Sequence, residues 1–348
     1  MQNTTTSFSG VLEQYAGVPV IVVGASGFIG RWVAHFLTRA GAELYLPARD
    51  CTAAKKTFLE YGVEGKIFKA DLLDTDRFLR SIEEIGPAIT FNLAGYGVDR
   101  SEQSERLADQ INTMLPERIC ETIAEIKECG AWLGPRLVHA GTAMEYGSVT
   151  GDLREDSATQ PTTLYGRSKL AGTKAMVSAC TNRSLAAVTA RLFAIYGPGE
   201  STERLLPTLI GSASTKAGHI ELTPGLHKRD FTYIEDAAEA LLRLGVSHCL
   251  PGDVVNVATG TLTPVRSFIQ TASRILGITE DRLSFGSIGT RPEEMDHDPV
   301  NIDRLFELTR WKPGTNINDG IRRTLSGRRT KETDRSSAHL RREVCELF

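Results

Sequence analysis

Two hydrophobic patterns alternate along most of the chain. Short apolar runs, such as VPVIVVG from Val18, indicate buried strands, and stretches with apolar residues every three or four positions indicate helices. The first such helix, FIGRWVAHFLTRAG, follows the first strand directly and ends at Gly41. Because the two patterns alternate, the sequence predicts βαβ units and a parallel sheet with helices on both faces.

The same alternation continues through the first 200 positions. Further strands are predicted in AELYLPAR, GKIFKADLLD, AITFNLAG, RLVHAGTA and LAAVTARLFAIYG. Further helices are predicted from about Asp74 to Ile85, in ADQINTMLPERICETIAEIKECG and in LYGRSKLAGTKAMVSAC. No solenoid-length repeat interrupts this order, so the prediction is an α/β fold.

The junction of the first strand and helix contains Gly24, Gly27 and Gly30, spaced GxxGxxG. Glycines in such a turn let the backbone approach a pyrophosphate, which then lies at the helix N-terminus. The spacing alone also occurs in turns that hold no ligand. Its place after an apolar strand, at the start of βαβ units, favours a dinucleotide site.

Composition and charge narrow the classes of function. The chain has 348 residues, of which 41% are hydrophobic and 24% charged, and its net charge of -3 argues against nucleic acid as the main partner. Its six cysteines show no CxxC spacing, so we expect neither a metal site nor a disulfide framework, and a reducing compartment. The polar N-terminus does not resemble a signal peptide, and no apolar run reaches the roughly 18 residues of a membrane span. A cytoplasmic protein without membrane contact is therefore predicted.

The end of the second strand indicates which dinucleotide binds. An NAD site usually places a carboxylate there, whereas an NADP site uses a cation for the 2′-phosphate. Ala48 takes the carboxylate position here, Arg49 follows it, and Lys55 and Lys56 come soon after, while Asp50 is expected to lie past the ribose. These cations favour NADP(H) over NAD; the alternative is a solvated basic loop.

The segment LYGRSK provides the candidate chemistry. Tyr165 and Lys169 are four positions apart on a predicted helix, so they share one face. A free tyrosine has a pKa near 10, and a neighbouring ammonium is expected to lower it. Thr142, at the end of the fifth strand, could hold a substrate oxygen at the carboxyl edge of the sheet.

These blocks together resemble the extended short-chain dehydrogenase/reductases, which include the NAD(P)-dependent epimerase/dehydratase proteins. The resemblance runs from about Val20 to about Arg323 and depends on GASGFIG, KADLLD, NLAG, the Thr142–Tyr165–Lys169 set, RLFAIYGPGE, RDFTYIEDAAEAL and NIDRLFELTRWKP. It implies a Rossmann-type doubly wound parallel sheet with a smaller C-terminal substrate-binding α/β domain. The implied NADP-binding domain consists of residues 15–190, and the chain returns to it at 230–260. The implied substrate domain consists of residues 191–229 and 261–325. Residues 326–348 would form a charged tail.

The resemblance also assigns roles. Tyr165 would be the acid–base residue, Lys169 would lower its pKa and hold the nicotinamide ribose, and Thr142 would bind the reacting oxygen. Asn92 would line the cofactor, and Arg49 would grip the 2′-phosphate. The implied cofactor-binding set is Gly24, Ser26, Gly27, Phe28, Ile29, Gly30, Arg49, Lys55, Asp71, Leu72, Leu93, Ala94, Gly95, Tyr165 and Lys169.

The second half of the chain resembles members that act on nucleotide-linked sugars. In them, two arginines clamp the diphosphate, at the positions of Arg229 and Arg291, and a carboxylate at the position of Glu294 contacts the nucleotide ribose. Arginine suits this task because its planar fork binds phosphate oxygens in pairs. The alternative is two surface arginines without a ligand.

Two departures from the family pattern bear on the reaction. The asparagine of the RxFN block is replaced by Ala194, which removes one expected substrate contact. The Asp-Glu pair that follows the threonine in 4,6-dehydratases is replaced by Ala143 and Met144, with Glu145 one position too late. Elimination of water is therefore not expected.

Four readings of the function remain open. The first is NADPH-dependent reduction of a nucleotide-linked 4-keto deoxysugar, and the second is a sugar-nucleotide epimerase. The third is a reductase of a non-sugar ketone, and the fourth a non-catalytic NADP-sensing or scaffold protein. Members of the family often dimerise through a four-helix bundle, so a homodimer is expected.

Overall fold

The computed structural model of the chain describes residues 6–99, 101–126, 130–215, 218–290, 294–295 and 297–326. Its main feature is a seven-stranded sheet in the order β10-β6-β5-β4-β1-β2-β3. Every neighbouring pair of these strands is parallel. The strands are β1 Pro19–Val23, β2 Glu43–Ala48, β3 Lys66–Lys69, β4 Ile89–Asn92, β5 Leu137–Thr142, β6 Ala187–Leu192 and β10 Pro251–Val257. The α/β fold and the parallel sheet are confirmed.

Helices cover both faces of this sheet, as predicted. They are α1 Phe8–Glu13, α2 Phe28–Arg39, α3 Cys51–Tyr61, α4 Thr75–Ile85, α5 Glu105–Ala108, α6 Leu115–Glu125, α7 Leu164–Arg183, α9 Ile234–Gly245 and α11 Asp303–Thr309. On one face, α4, α6 and α7 bury Phe78, Ile119 and Met176 against the strands. On the other face, α2 and α9 bury Leu37 and Leu241.

A second core lies around smaller sheets. One has the order β11-β9-β7 and the other pairs β12 with β8. Their elements are β7 Ala194–Tyr196, α8 Leu205–Thr215, β8 Ile220–Leu222, β9 Lys228–Tyr233, β11 Leu262–Pro264, α10 Val265–Leu276 and β12 Leu283–Phe285. The stacked rings of Phe231 and Phe268, with centroids 4.2 Å apart, join β9 to α10. The domain boundaries given above stay a prediction.

The single strand predicted for LAAVTARLFAIYG is wrong. The segment divides into β6, in the large sheet, and β7, in the three-stranded sheet, with Phe193 between them. The apolar run is continuous because β6 is buried throughout, while β7 buries Tyr196 and half-buries Ala194 and Ile195. Hydrophobicity therefore carries no signal for the change of sheet.

The long helix predicted from Ala108 is also interrupted. A π-helical turn over Asp109–Met114 separates α5 from α6, and α6 ends at Glu125. Positions 127–129 of the predicted helix and the predicted tail from 327 onward lie outside the described residues. Such single π-turns often occur at functional sites.

Candidate active site

The glycine turn forms a close-fitting cradle at the carboxyl end of β1. Gly24 has φ +78, and a Cβ on it would lie 2.9 Å from the Ala94 nitrogen of the neighbouring loop. A Cβ on Gly30 would lie 2.1 Å from the Gly24 carbonyl oxygen, so only glycine permits this approach of α2 to the turn. The backbone N–H groups in the first turn of α2 have no carbonyl partner within the helix, which suits an anionic pyrophosphate.

The remaining residues of the predicted cradle surround this turn. Ser26 is half-buried, and its carbonyl accepts a hydrogen bond from Arg31 at 2.9 Å. Phe28 and Ile29 pack against the second core, so the start of α2 is fixed to both cores. The turn therefore fits a dinucleotide, with a rigid backbone where its pyrophosphate would lie.

The cationic residue that follows β2 is exposed to solvent. Ala48 is buried at the strand end, and Arg49 follows with an exposed side chain. Asp50 is the N-cap of α3, because its Oδ1 accepts hydrogen bonds from the backbone N–H groups of Thr52 and Ala53. Its carboxylate is thus engaged by the helix, and Lys55 is exposed one turn further on.

The loops after β3 and β4 complete this edge of the sheet. Asp71 is exposed, and its Oδ1 accepts a hydrogen bond from the backbone of Leu73, while Leu72 is half-buried. Leu93, Ala94 and Gly95 follow β4 directly. The carboxyl ends of parallel strands meet at one edge, so these residues share the edge that carries the glycine turn.

Tyr165 and Lys169 lie in the first turns of α7. The Thr163 hydroxyl caps this helix by accepting a hydrogen bond from the Gly166 N–H at 3.0 Å. Thr142, at the end of β5, lies close enough to Tyr165 for its hydroxyl to favour the ionised form of the tyrosine. Lys169 is buried one turn after Tyr165, so the structure brings the three predicted catalytic residues together.

Burial changes the acid–base properties of this pair. Burial, with the Glu145 carboxylate, raises the pKa of Tyr165 to about 12. The Thr142 hydroxyl and the Arg204 charge act in the opposite direction. Burial lowers the pKa of Lys169 to about 8, although the Glu145 carboxylate opposes this change. The expected net lowering of the Tyr165 pKa is therefore wrong for this structure, because burial outweighs the neighbouring charges.

Glu145 is held beneath the site by an ion pair. Its Oε2 accepts a hydrogen bond from Arg191 Nε at 2.9 Å, and its Oε1 accepts one from the Thr142 N–H at 2.9 Å. The two side chains are 0% and 5% exposed, and the Arg191 guanidinium also lies over the Tyr146 ring. Both carboxylate oxygens are thus engaged, and this pair fixes the backbone of Thr142.

Asn112 also positions the site, although the sequence analysis did not single it out. From the π-helical turn, its Nδ2 donates to the Tyr96 carbonyl at 2.7 Å and to Ser168 Oγ at 2.9 Å. The Ser168 hydroxyl in turn donates to the Tyr165 carbonyl. Asn112 thus connects the loop after β4 to α7 beside Tyr165. A buried asparagine within an apolar helical pattern is the only sequence signal for it.

The segment between β7 and α8 contributes Arg204, whose charge acts on Tyr165, and Glu200, on which the Arg204 charge also acts. Arg204 Nη2 donates to the Val98 carbonyl at 3.1 Å, so it connects this segment to the loop after β4. Burial raises the pKa of Glu200 to about 7, and the Arg204 charge opposes this shift. Glu200 ends the RLFAIYGPGE block, but no sequence pattern indicated a role for it or for Arg204.

The predicted substrate residues form a cluster at the start of β9. Arg229 Nη2 lies 2.6 Å and 2.7 Å from the two carboxylate oxygens of Glu294, and His227 Nε2 lies 3.2 Å from Oε2. The Arg229 side chain remains 39% exposed. Arg229 and Glu294 are therefore brought together as partners of each other, whereas Arg291 lies outside the described residues.

The described part of the chain has neither a membrane-spanning helix nor a cluster of metal-binding side chains. No helix there combines the length and apolar character needed to cross a membrane. In the same ranges, no three or more histidine, cysteine or carboxylate side chains are grouped so that they could hold a metal ion.

Relatives with curated names cover nearly the whole chain. A dTDP-6-deoxy-L-talose 4-dehydrogenase (NAD(P)(+)) from Kitasatospora kifunensis is 28% identical over 325 residues, 89% of this chain and 96% of that protein. An uncharacterized UDP-glucose epimerase, YtcB, from Bacillus subtilis is 24% identical over 313 residues, 87% of this chain and 95% of that protein.

Solved structures share the fold. The UDP-glucuronic acid 4-epimerase of Bacillus cereus, in complex with UDP-glucuronic acid and NAD, superposes with a TM-score of 0.76. It is 21% identical and covers 88% of this chain and 98% of its own. The sequence profile of the NAD dependent epimerase/dehydratase family matches residues 20–258, more than half of the chain. The resemblance found in the sequence is confirmed: the chain belongs to the NAD dependent epimerase/dehydratase family, among the extended short-chain dehydrogenases/reductases.

Proposed function

We propose that this protein reduces a keto group of a nucleotide-linked sugar with NADPH. The observation that carries the proposal is the set of Thr142, Tyr165 and Lys169 at the carboxyl edge of the sheet, next to the glycine cradle. When bound there, a nicotinamide cofactor supplies hydride. The relative from Kitasatospora kifunensis is named as a 4-dehydrogenase of a dTDP-linked deoxysugar, which is the reverse of such a reduction.

The three side chains divide the work on the carbonyl oxygen. With its pKa near 12, Tyr165 is protonated at neutral pH, which is the form that donates a proton to a developing alkoxide. The Thr142 hydroxyl holds the same oxygen. Lys169, with a pKa near 8, is mainly an ammonium at neutral pH and stabilises the phenolate left behind.

The residues after Thr142 support simple hydride chemistry. Ala143 and Met144 have no acid–base group, and both oxygens of Glu145 are engaged by Arg191 and the Thr142 N–H. None of these residues is free to remove or deliver a second proton for elimination of water. Reduction and epimerisation both proceed without such a pair.

Epimerisation is the second candidate, because YtcB and the Bacillus cereus enzyme are named as epimerases. A reductase consumes one NADPH for each sugar that it reduces, whereas an epimerase consumes no cofactor overall. Purified protein is incubated with NADPH and a panel of nucleotide-linked 4-keto sugars while absorbance of the reduced nicotinamide is followed. Stoichiometric loss of that absorbance supports reduction. Interconversion of 4-epimers without net loss would replace our proposal by an epimerase.

Arg49 is proposed to bind the 2′-phosphate of NADPH. The supporting observation is the exposed guanidinium directly after buried Ala48, with Asp50 engaged as a helix cap. Since a hydrogen bond to a charged group contributes about 1.5–3 kcal/mol, Arg49→Ala should weaken NADPH binding about 10- to 150-fold. Calorimetry should show little change for NADH, and the exposed Arg274→Ala serves as control. Equal affinity of the native protein for both cofactors would contradict the assignment.

Arg229 is proposed to hold the diphosphate of the substrate. Its guanidinium is partly exposed and anchored on one side by Glu294, which leaves other N–H groups available. The NADPH-loaded protein should then bind one of CDP, UDP, TDP or GDP saturably in a calorimetric titration. Arg229→Ala should weaken that binding by about 1.5–3 kcal/mol.

The neighbouring Lys228→Ala is the matched control, because Lys228 is exposed on the same strand. It should leave nucleotide binding within about twofold of native, as surface charges contribute little. Binding by none of the four nucleotides would favour a reductase of a small ketone instead.

A further inference from the structure

A buried polar cluster lies beneath Lys169, on the face of the sheet that α7 covers. Asn92 on β4 and His139 on β5 are partners in the strand register, and both are buried. Lys169 lies over them, with Nζ 3.4 Å from His139 Nε2. Three buried oxygens in these elements have no hydrogen-bond partner among the described residues: Thr90 Oγ1, Asn92 Oδ1 and Thr173 Oγ1.

The hydrogen bonds of His139 cannot all be made in the orientation shown. Asn92 Nδ2 lies 3.2 Å from His139 Nδ1, which makes Nδ1 the acceptor and leaves the ring proton on Nε2. That proton would point at the Lys169 ammonium, which only donates. Two donors would then face each other inside the protein, while Asn92 Oδ1 has no partner.

Turning the Asn92 amide over resolves this conflict. The oxygen and nitrogen of an amide have nearly the same shape, so their assignment follows from the hydrogen-bond network. With Oδ1 facing the ring, His139 carries its proton on Nδ1 and donates it to Asn92. Nε2 then has a free lone pair, directed at the ammonium. Every polar contact in the row Asn92–His139–Lys169 now pairs one donor with one acceptor.

We propose that His139 is a positioning residue for Lys169, accepting a hydrogen bond from the ammonium at Nε2 while its Nδ1–H donates to the Asn92 amide oxygen. This inference rests on the proposed function for its kinetic consequence, but the hydrogen-bond pattern itself does not. The ring keeps the ammonium in place under Tyr165 and reduces the cost of burying its charge.

The surroundings of Lys169 contain few other charged groups. Among the described residues these are His139 from β5, Glu145 from the turn after β5, with Arg191 from β6 as its partner, and Tyr165 from the same helix. Burial, with the Lys169 charge, holds the pKa of His139 well below its usual range, so the ring stays neutral. At neutral pH the ring is therefore neutral while Lys169 is mainly charged, so Nε2 can accept a hydrogen bond from the ammonium.

The tautomer is tested in the native protein, without substrate or cofactor. Histidine labelled with ¹⁵N in the ring is incorporated, and long-range ¹H–¹⁵N correlation spectra are recorded at pH 6.5. The His139 signals are identified as those missing from His139→Gln. The expected result is the Nδ1–H tautomer. The Nε2–H tautomer, or a charged ring, would overturn the proposal.

The consequence for Lys169 is tested by two substitutions with opposite expectations. His139→Phe keeps a ring but offers no acceptor, so the alkaline limb of the turnover–pH profile should move down by about one to two pH units, the equivalent of one charged hydrogen bond. His139→Gln places an amide oxygen near the position of Nε2 and should restore most of the shift. His248→Phe, at an exposed position, is the control and should leave the profile unchanged.

The outcomes separate this inference from the proposed function. If the native protein turns over no keto sugar but shows the Nδ1–H tautomer, the proposed function fails and the positioning contact stands. If the native protein is active, and His139→Phe folds but leaves the alkaline limb of the turnover–pH profile where it was, the positioning role is wrong. If His139→Phe does not fold, two measurements decide whether the proposal stands: the His139 tautomer in the native protein and the turnover–pH profile of His139→Gln.

Discussion

Replacing Tyr165 by Phe is expected to lower turnover by about 10²–10⁴-fold, the usual contribution of a general acid–base group. The substitution removes only the hydroxyl, which lies beside Thr142 and would deliver the proton to the substrate oxygen. The ring and its packing remain, so cofactor affinity should be unchanged in a fluorescence titration. Turnover is measured with the keto sugar that the substrate panel identifies.

Tyr45→Phe is the matched control for this experiment. Its hydroxyl donates to Glu43 at 2.8 Å at the exposed end of β2, far in sequence from the catalytic elements. Near-native turnover is expected for it. Turnover of Tyr165→Phe within a few-fold of native would exclude Tyr165 as the acid and move attention to another donor at the site.

Replacing Arg191 by Met is expected to destabilise the protein by about 3–5 kcal/mol, since it leaves a buried carboxylate without its charge partner. The Glu145–Arg191 pair is almost wholly buried, and its carboxylate also accepts the Thr142 N–H. The free energy of unfolding is measured by urea denaturation. The substitution should lower the free energy of unfolding in water without changing the slope of that free energy against urea concentration.

Two controls make this result interpretable. Arg118→Met removes an exposed ion pair with Asp76, in which the side chains are 40% and 68% exposed, and should cost less than about 1 kcal/mol. The double variant Glu145→Met, Arg191→Met removes both charges and should recover part of the loss. If Arg191→Met costs no more than Arg118→Met, the buried pair does not contribute as described.

The local pattern of the sequence was enough for most of the Rossmann-type sheet. Gly24, Gly27 and Gly30 could be recognised because the turn needs glycines at fixed positions, and α4 was placed correctly to within a residue because its apolar face has a clear helical period. The proximity of Thr142, Tyr165 and Lys169 could be predicted because two of them are closely spaced on one helix and the third ends a strand at the same edge.

The features that the sequence did not provide depend on distant contacts. Arg229 and Glu294 are 65 positions apart, and nothing local shows that the carboxylate is the partner of the arginine. His139 lies in an apolar strand, where a buried histidine without a known partner has no assignable role. The pKa of Tyr165 follows from how deeply the folded chain encloses it, which the spacing to Lys169 does not reveal.

The change of sheet at Phe193 sets a rule for building chimeras with related enzymes. Leu192 ends a strand of the large sheet, and Ala194 begins a strand of the three-stranded sheet. Phe193 is the single residue between these strands, so a recombination point there leaves both strands intact. The chain returns to the large sheet through α9 and β10, then leaves it again for β11. A graft that exchanges the three-stranded sheet while keeping the glycine turn must therefore carry at least two separate segments, joined near positions 193, 233 and 260. A single C-terminal swap would divide the large sheet.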